Sequence, residues 1–368
     1  MNQFTPEEIK RYARQFPVIG LEGQERLKKA KVFCIGAGGL SAPALMYLTA
    51  CGVGKIGIID DDVVELSNLQ RQILYNLNDL GASKAKTAGE KLTAQNNLIK
   101  FDLYTKKLTA ENGAAILAGY DVIIDGSDNY QTRYLTNDLS FKLNIPLISA
   151  SIYQFQGQCS VFNYKHGPCY RCLYEMPPPA DLTPNCAIGG VLGVLPGVMG
   201  CIQATEAIKI ITQMGDILSE RLLTFDALNM KFHEYQVRKN PNCPLCARGE
   251  TSTNLFEIKA DSSHVDEISP LELQSELKNN SELFLLDVRE PYESEICSIG
   301  GVLIPSTQFD IANIAAKKDQ KIVVYCKAGM RSRAIAKLLI LHGYKNVLML
   351  TGGIMQWIDD IDPGMDKY

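Results

Sequence analysis

Lys31–Pro43 reads KVFCIGAGGLSAP, and the reading of this stretch decides the fold. An apolar β-like run ends in three glycines, Gly36, Gly38 and Gly39, and opens into a helical pattern. Glycines at such a turn let the backbone approach a phosphate closely. The free N–H groups and positive dipole end of the following helix favour an anion there. Position six of the glycine pattern is Ser41, where a third spaced glycine would be expected to serve helix–sheet packing. Asp60 lies about twenty residues on, the spacing at which a carboxylate holds a ribose. A nicotinamide dinucleotide and ATP share that ribose, so the loop and Asp60 alone leave both open.

The residues after Asp60 discriminate. DDDVVELSNLQRQILY places Ser67, Asn68, Leu69, Gln70, Arg71 and Gln72 just beyond the second apolar run, and Lys84 follows in GASKAK. So many polar and cationic groups suit a triphosphate, because Arg and Lys neutralise its charge and stabilise a leaving pyrophosphate. Asp128, in IIDGSDN, falls at the carboxyl end of a β-like run, where open α/β sheets bind ligands. A carboxylate there suits Mg²⁺ bridging phosphates. A solvated surface of mixed charge is the plainer reading of the same spacing.

Around these motifs the chain alternates. KIGIIDDD, FDLYTKKL, DVIIDGSD and IPLISASIY read as strands, separated by the helical patterns APALMYLTACG, SKAKTAGEKLTAQNN, AAILAGY and NYQTRYLTNDLSFKLN. This predicts a mostly parallel sheet covered by helices. QFQGQCSVFNY and RLLTFDALNMKFHEYQVRK predict antiparallel additions. AIGGVLGVLPGVMGCIQA, interrupted by Pro196 and running into Glu206 and Lys209, reads as a buried helix rather than a membrane span.

The 368 residues suffice for about two domains, and the bulk composition is that of a globular protein, 46% apolar and 21% charged. A net charge of −4 gives no global reason to expect nucleic acid or an anionic membrane as partner. The polar start MNQFTPEEIKRYARQ predicts no secretory leader and a cytoplasmic location. Eleven cysteines then sort as metal ligands, reactive thiols or core rather than disulfides. Cys169/Cys172 and Cys243/Cys246 form two Cys-x-x-Cys pairs, and four thiolates make a closed, structural zinc site. A redox dithiol is the alternative for a single pair. Cys34, Cys51, Cys159 and Cys201 sit in apolar runs and read as core.

RYARQ, GAGGLSAP, DDDVVELSNLQRQ, SKA, DGSDN, PCYRCL, NCAIGGVLGVLPGVMG and NPNCPLC occur in this order over roughly residues 6–248. The set resembles the MoeB/ThiF family of adenylyltransferases, relatives of the ubiquitin-activating enzymes. The resemblance implies a Rossmann-like ATP-binding domain with a mixed sheet and a structural zinc site. It also implies adenylation of the C-terminal Gly-Gly carboxylate of a ubiquitin-like sulfur-carrier protein. It assigns Gly39 and Asp60 to the nucleotide, Ser67 to Arg71 and Lys84 to the phosphates, and Asp128, with Asn129 beside it, to Mg²⁺. Arg14 matches an arginine that reaches the partner subunit's ATP in the family's homodimer; its plain reading is an exposed helix residue. Cys186, in the Pro- and Gly-rich PPPADLTPNCAIGG, matches a cysteine that is a candidate for a covalent link to the carrier, or is a passive loop thiol. The departure is Ser41 in place of the family's glycine. Serine is small, so the loop is expected to form with Ser41 facing the helix–sheet contact.

Residues 249–268 turn polar and aperiodic and read as a linker, separating a first domain, 1–248, from a second, 269–368. SPLE, Ser269–Glu272, restarts order with an N-cap serine, Pro at the first helical position and a capping-box Glu. VVYCKAGMRSR ends a strand with Cys326 and returns to Arg331 after four residues. Loop N–H groups, a helix start and Arg331 would favour a thiolate. With LLDVREPYESEI and TGGIMQWI, this resembles the rhodanese sulfurtransferases, and the resemblance makes Cys326 the carrier of a persulfide. A desulfurase-type persulfide donor would lie upstream. The competing readings are a nicotinamide- or flavin-dependent oxidoreductase fused to a rhodanese domain, and a zinc-stabilised scaffold without chemistry.

Overall fold

The computed structural model describes residues 4–177, 190–249, 265–279 and 282–368. The described residues fall into two compact units, 4–177 with 190–249, and 265–368. Cys186 lies outside the described residues.

In the first unit, helices α1 (Pro6–Tyr12) and α2 (Phe16–Lys29) precede an alternating run: β1 (Lys31–Ile35), α3 (Ser41–Cys51), β2 (Lys55–Ile59), α4 (Lys84–Gln95), β3 (Lys100–Tyr104), α5 (Ala110–Leu117), β4 (Val122–Asp125), α6 (Tyr130–Leu143) and β5 (Leu147–Tyr153). There follow β6 (Gln156–Phe162), the short helix α7 (Tyr170–Leu173), α8 (Val194–Thr212), β7 (Arg221–Asp226) and β8 (Lys231–Gln236). One sheet holds all eight strands in the order β3-β2-β1-β4-β5-β6-β7-β8. Strands β1 to β5 pair in parallel, and β6 to β8 add antiparallel, as the sequence predicts. The central strands are buried on both faces, which is why they read as unbroken apolar runs.

From β1 the chain runs outward to β2 and β3, then restarts at β4 on the other side of β1. That reversal opens a crevice beyond the carboxyl ends of β1 and β4, the expected place for a ligand. The glycine loop leaves β1 there, Asp60 follows β2, and Asp128 follows β4.

Helix α8 is the apolar segment noted above, and half of it is buried within the unit. Among the described residues it is the one helix long and apolar enough to cross a membrane. Its polar groups are spent on the sheet instead. Gln203 Nε2 donates to the carbonyls of Asp125 (2.8 Å) and Ile148 (3.2 Å), and Glu206 Oε2 accepts from the Leu218 N–H at 2.8 Å.

The second unit is a smaller α/β layer: β9 (Asp266–Ile268), α9 (Pro270–Asn279), β10 (Phe284–Asp287), α10 (Pro291–Ile296), β11 (Val302–Leu303), β12 (Lys321–Tyr325), α11 (Met330–Leu341), β13 (Asn346–Leu350) and α12 (Gly353–Asp360). Its sheet runs β11-β10-β12-β13-β9, all parallel. The capping box at SPLE forms: the Ser269 and Glu272 side chains each accept the other's backbone N–H. Strand β9 differs from the sequence reading, which ends the linker at residue 268. Asp266–Ile268 pairs with Leu348–Leu350 as an edge strand, and three residues with two acids give no pattern by which to see it.

Candidate active sites

Gly36 has φ +83°, a left-handed conformation that favours glycine, and its N–H donates to the Ile59 carbonyl at 2.8 Å. A Cβ there would stand 3.2 Å from the Gly126 carbonyl, so the glycine loop abuts the loop that carries Asp128. A Cβ on Gly39 would meet the Arg71 carbonyl and Pro196, each at 3.3 Å, whereas Gly38 faces only the Gln72 amide at 3.6 Å. The segment 67–72 and the start of α8 therefore close over the loop and leave a gap above Gly38.

Asp60 ties this loop to β2. Its carboxylate accepts from the N–H groups of Ala37 (2.7 Å) and Asp62 (2.9 Å), while burial pushes its pKa above the ordinary carboxylate value. Each oxygen still has a lone pair for a ribose hydroxyl. The buried Tyr75 hydroxyl, which sequence reasoning missed, sits between the carbonyls of Ala37 (2.9 Å) and Lys84 (3.1 Å). It brings Lys84 to the loop, where Nζ lies 3.0 Å from the exposed Asp62. Arg71 is half-buried and donates to the Ser67 carbonyl at 3.0 Å. Asn68 and Gln72 are buried, and the Asn68 Oδ1 and Gln72 Oε1 atoms have no hydrogen-bond partner among the described residues. A glycine loop facing Arg71 and Lys84 fits the phosphates of a nucleoside triphosphate, and the two carboxamide oxygens are free to accept from a ligand's N–H or hydroxyl groups.

Other assigned residues stand differently. Leu69 packs its side chain on the core, and its N–H donates to the Leu66 carbonyl at 3.2 Å. Ser67 is exposed, and Gln70 is placed by its contact with Gly193. Asn129 caps α6, accepting from the Thr132 N–H at 2.8 Å, so its side chain serves the helix end. Arg14 is exposed in the turn between α1 and α2.

Asp128 is exposed, and its loop rests on a buried pair absent from the sequence reading. Asp125 is fully buried and accepts from both the N–H (2.9 Å) and the hydroxyl (2.6 Å) of Ser127. Arg133, also buried, lies 3.4 Å from Asp125 and donates to the Ser127 carbonyl at 3.0 Å. The residue before Asp128 is thus gripped through three groups.

Ser41 is fully buried at the start of α3, and its hydroxyl has no hydrogen-bond partner among the described residues. A Cβ on Gly126 would lie 2.0 Å from Ser41 Oγ, so the serine fills space left by a glycine at the end of β4. This is the helix–sheet position expected for it. Ser41→Gly should change ATP affinity by less than about threefold, measured by titration calorimetry; a strong gain would show that the serine strains the loop. Gly126→Ala should cost about 1–3 kcal/mol by overpacking, and Ser41→Gly should recover part of that loss in chemical denaturation.

Cys169 Sγ lies 3.5 Å from Cys243 and 3.8 Å from Cys172, and Cys172 lies 3.4 Å from Cys246. Four sulfurs about 2.3 Å from one ion would stand about 3.8 Å apart in a tetrahedron. The two pairs form a candidate four-cysteine metal centre. Cys34 and Cys51 are buried thiols pushed up to about 12 by desolvation, and Cys159 is pushed higher, as expected of core cysteines. Cys201 is only half-buried, on α8.

In the second unit Cys326 directly follows the central strand β12 and is 1% exposed. Its sulfur accepts from the Gly329 N–H at 3.1 Å and lies 3.5 Å from the Ser332 hydroxyl. Gly329 has φ +101°, which turns the loop back toward the sulfur. Arg331 follows, but its guanidinium grips Glu293 in a buried fork, 2.5 and 2.7 Å. That pair holds the Glu293 carboxyl below its usual range against the opposing effect of burial. Arg331 therefore positions the loop more than it charges it, and Glu293 is a residue that sequence reasoning missed.

Residues 11–245 match the ThiF family and residues 269–360 match the rhodanese-like domain. The chain belongs to the ThiF family and carries a fused rhodanese-like domain. Over 98% of its length it is 41% identical to the probable adenylyltransferase/sulfurtransferase MoeZ of Mycobacterium tuberculosis, covering 96% of that protein. Over 70% of its length it is 47% identical to the sulfur carrier protein adenylyltransferase of Thermus thermophilus, covering 98% of it. The crystal structure of E. coli MccB with ATP shares the fold, with a TM-score of 0.58 at 21% identity over 64% of this chain and 74% of MccB. The oxidoreductase reading of the glycine loop falls with these matches.

Proposed function

We propose that the chain adenylates the C-terminal Gly-Gly carboxylate of a ubiquitin-like sulfur-carrier protein with ATP and then delivers sulfur to it as a thiocarboxylate. The observation that carries this reading is the convergence of the glycine loop, Arg71, Lys84 and the Asp128 loop at the sheet's switch point, in a chain that also presents Cys326 in a sulfur-binding loop. The names of the relatives, adenylyltransferase/sulfurtransferase and sulfur carrier protein adenylyltransferase, support it.

A carrier carboxylate oxygen attacks the α-phosphorus of ATP, and the bond to the β-phosphate breaks to release pyrophosphate. Arg71 and Lys84 neutralise the charge that builds on the leaving group. Asp128 would hold Mg²⁺, which supplies further neutralisation of the phosphates when bound. The Cys326 persulfide then attacks the acyl carbon, AMP leaves with the bonding pair, and carrier and enzyme are joined as an acyl disulfide. A second thiolate, with Cys186 as the candidate, attacks the Cys326 sulfur and expels the thiocarboxylate. The Cys186–Cys326 disulfide so formed is reset by two electrons from an external dithiol. A cysteine desulfurase is the class of enzyme that would restore the persulfide. Covalent fusion of the two units raises the effective concentration of sulfur donor over activated carrier.

In this reading the protein is a cytoplasmic homodimer, with Arg14 of one protomer completing the other's ATP site. The carrier serves molybdopterin or thiamine synthesis, or tRNA thiolation. The test is exchange of labelled pyrophosphate into ATP, which should require a carrier ending in Gly-Gly; exchange with a carrier lacking that end would remove the carboxylate as nucleophile. Cys169, Cys172, Cys243 and Cys246 hold structural zinc. Cys243→Ser should abolish zinc in metal analysis and lower Tm by about 10 °C, the shift that about 3 kcal/mol produces in a unit of this size.

A further inference from the structure

Helix α6 makes buried polar contacts at two levels, and each level serves a different site. Asp128 and the Asn129 cap lead into its first turn. There Arg133 donates to the Ser127 carbonyl at 3.0 Å and to the Ala150 carbonyl at 3.2 Å, beside the buried Asp125. One turn further, Asn137 and Asp138 meet the first Cys-x-x-Cys pair. Asn137 Oδ1 accepts from the Tyr170 N–H at 2.8 Å. Asp138 accepts a fork from Arg171, from Nε at 2.8 Å and from Nη2 at 2.9 Å. Tyr170 and Arg171 are the two residues between Cys169 and Cys172. Arg171 is fully buried, and its guanidinium also stands 4.7 Å from the ring centroid of Tyr134, on the same helix. Tyr134 in turn meets the Tyr170 ring edge-on at 5.2 Å. Neither Arg171 nor Asp138 can leave the other without stranding a buried charge, so the fork holds its geometry.

We propose that Arg171 is a positioning residue for Asp128: it anchors α6 at Asp138, and α6, through Arg133, sets the place of the loop that carries Asp128. Arg133 and Asn137 are four residues apart and so share one face of the helix. A displacement of α6 at Asn137 and Asp138 therefore reaches the Ser127 carbonyl within one turn. With an ion held by the four cysteines, Arg171 has a fixed place between two ligands. Metal at that centre and a magnesium nucleotide in the crevice then favour the same placement of α6, and each should tighten the other. The inference rests on the nucleotide reading of the crevice and on a metal at the four cysteines.

The first measurement needs no substitution. In the full-length protein, zinc affinity is read by equilibrium competition with a chromophoric chelator, with and without a saturating non-hydrolysable ATP analogue and Mg²⁺. The nucleotide should tighten zinc about fivefold, the low end of coupling between linked sites. Equal zinc affinity in the two conditions overturns the link. The second measurement uses Arg171→Lys, which keeps the buried charge and loses the planar fork. Its zinc content should be unchanged, and its affinity for ATP with Mg²⁺, by titration calorimetry, should fall about fivefold. Its affinity for ATP without added Mg²⁺ should hold, because Asp60 and the glycine loop do not rest on α6. A loss of the same size without Mg²⁺ overturns the proposal, since α6 would then support the whole crevice rather than Asp128. In Asp128→Ala the same substitution should cost no further affinity, as for two residues that act through one loop; an additive loss overturns it. Should Arg171→Lys not fold, the zinc competition decides. The readings beneath the proposal fail separately: absence of zinc in metal analysis removes the metal centre, absence of ATP binding removes the nucleotide site, and either removes the link.

Discussion

Carrier-dependent exchange of pyrophosphate into ATP should fall roughly a thousandfold in Asp128→Ala, the upper range for loss of one preorganised charge-stabilising group, with the protein still folded. Asp128 is exposed, and its side chain accepts one hydrogen bond among the described residues, from Asn129 Nδ2 at 3.5 Å. Its loop is held from below by the Asp125–Arg133 pair, which Asp128→Ala leaves intact. Thermal unfolding should therefore move by less than about 2 °C, as for an exposed substitution. Chemistry and stability are separable here because the exposed carboxylate that would meet the phosphates and the buried one that shapes the loop are different residues. Normal exchange in Asp128→Ala would remove Asp128 from the metal role.

The second large effect is expected at Cys326. Cys326→Ala should leave pyrophosphate exchange within about twofold of the unsubstituted rate, the scale of a surface-neutral change, and should reduce thiocarboxylate formation below detection. The loop does not depend on the sulfur for its shape. The Cys326 carbonyl accepts from the Ile354 N–H at 2.8 Å, the Lys327 carbonyl accepts from Met355, and Arg331 stays on Glu293. What disappears is the atom toward which the Gly329 N–H points. Thiocarboxylate analysis of the carrier by mass spectrometry checks this. Sulfur transfer at full rate in Cys326→Ala would mean that the second unit is not the donor.

Much of this was legible in the sequence because it is local. An apolar run that ends in glycine, followed by a helical pattern, marks a strand, a phosphate loop and a helix in one reading, and β1, Gly36–Gly39 and α3 appear where it places them. The two Cys-x-x-Cys pairs also come together, although some 70 residues separate them, because two such pairs have the ligand spacing of one tetrahedral metal centre. Pairing between residues without a motif was not legible. Arg133 faces Asp125 across a strand end and a helix, Glu293 meets Arg331 from 38 residues away, and Tyr368 meets Glu293 from 75. Each looks like an ordinary charged or aromatic residue until the sheet brings it home. Arg331 shows what a motif leaves out: the loop sequence names the arginine but not Glu293, onto which its guanidinium is forked. Strand β9 was missed for a different reason, since an edge strand of three residues is defined by what it pairs with.

The four-cysteine centre also bears on how the first unit tolerates damage. Its two halves join Cys169–Cys172 to Cys243–Cys246, so a bound ion closes the intervening chain into a ring. Residues 178–189 lie within that ring. A cut in the backbone there would open the ring without separating its ends, because the bound ion joins the two sides of the cut beside the β6–β7 pairing. Metal at this centre would act as a clasp, and a nicked molecule could keep its sheet, its nucleotide crevice and the order of its strands.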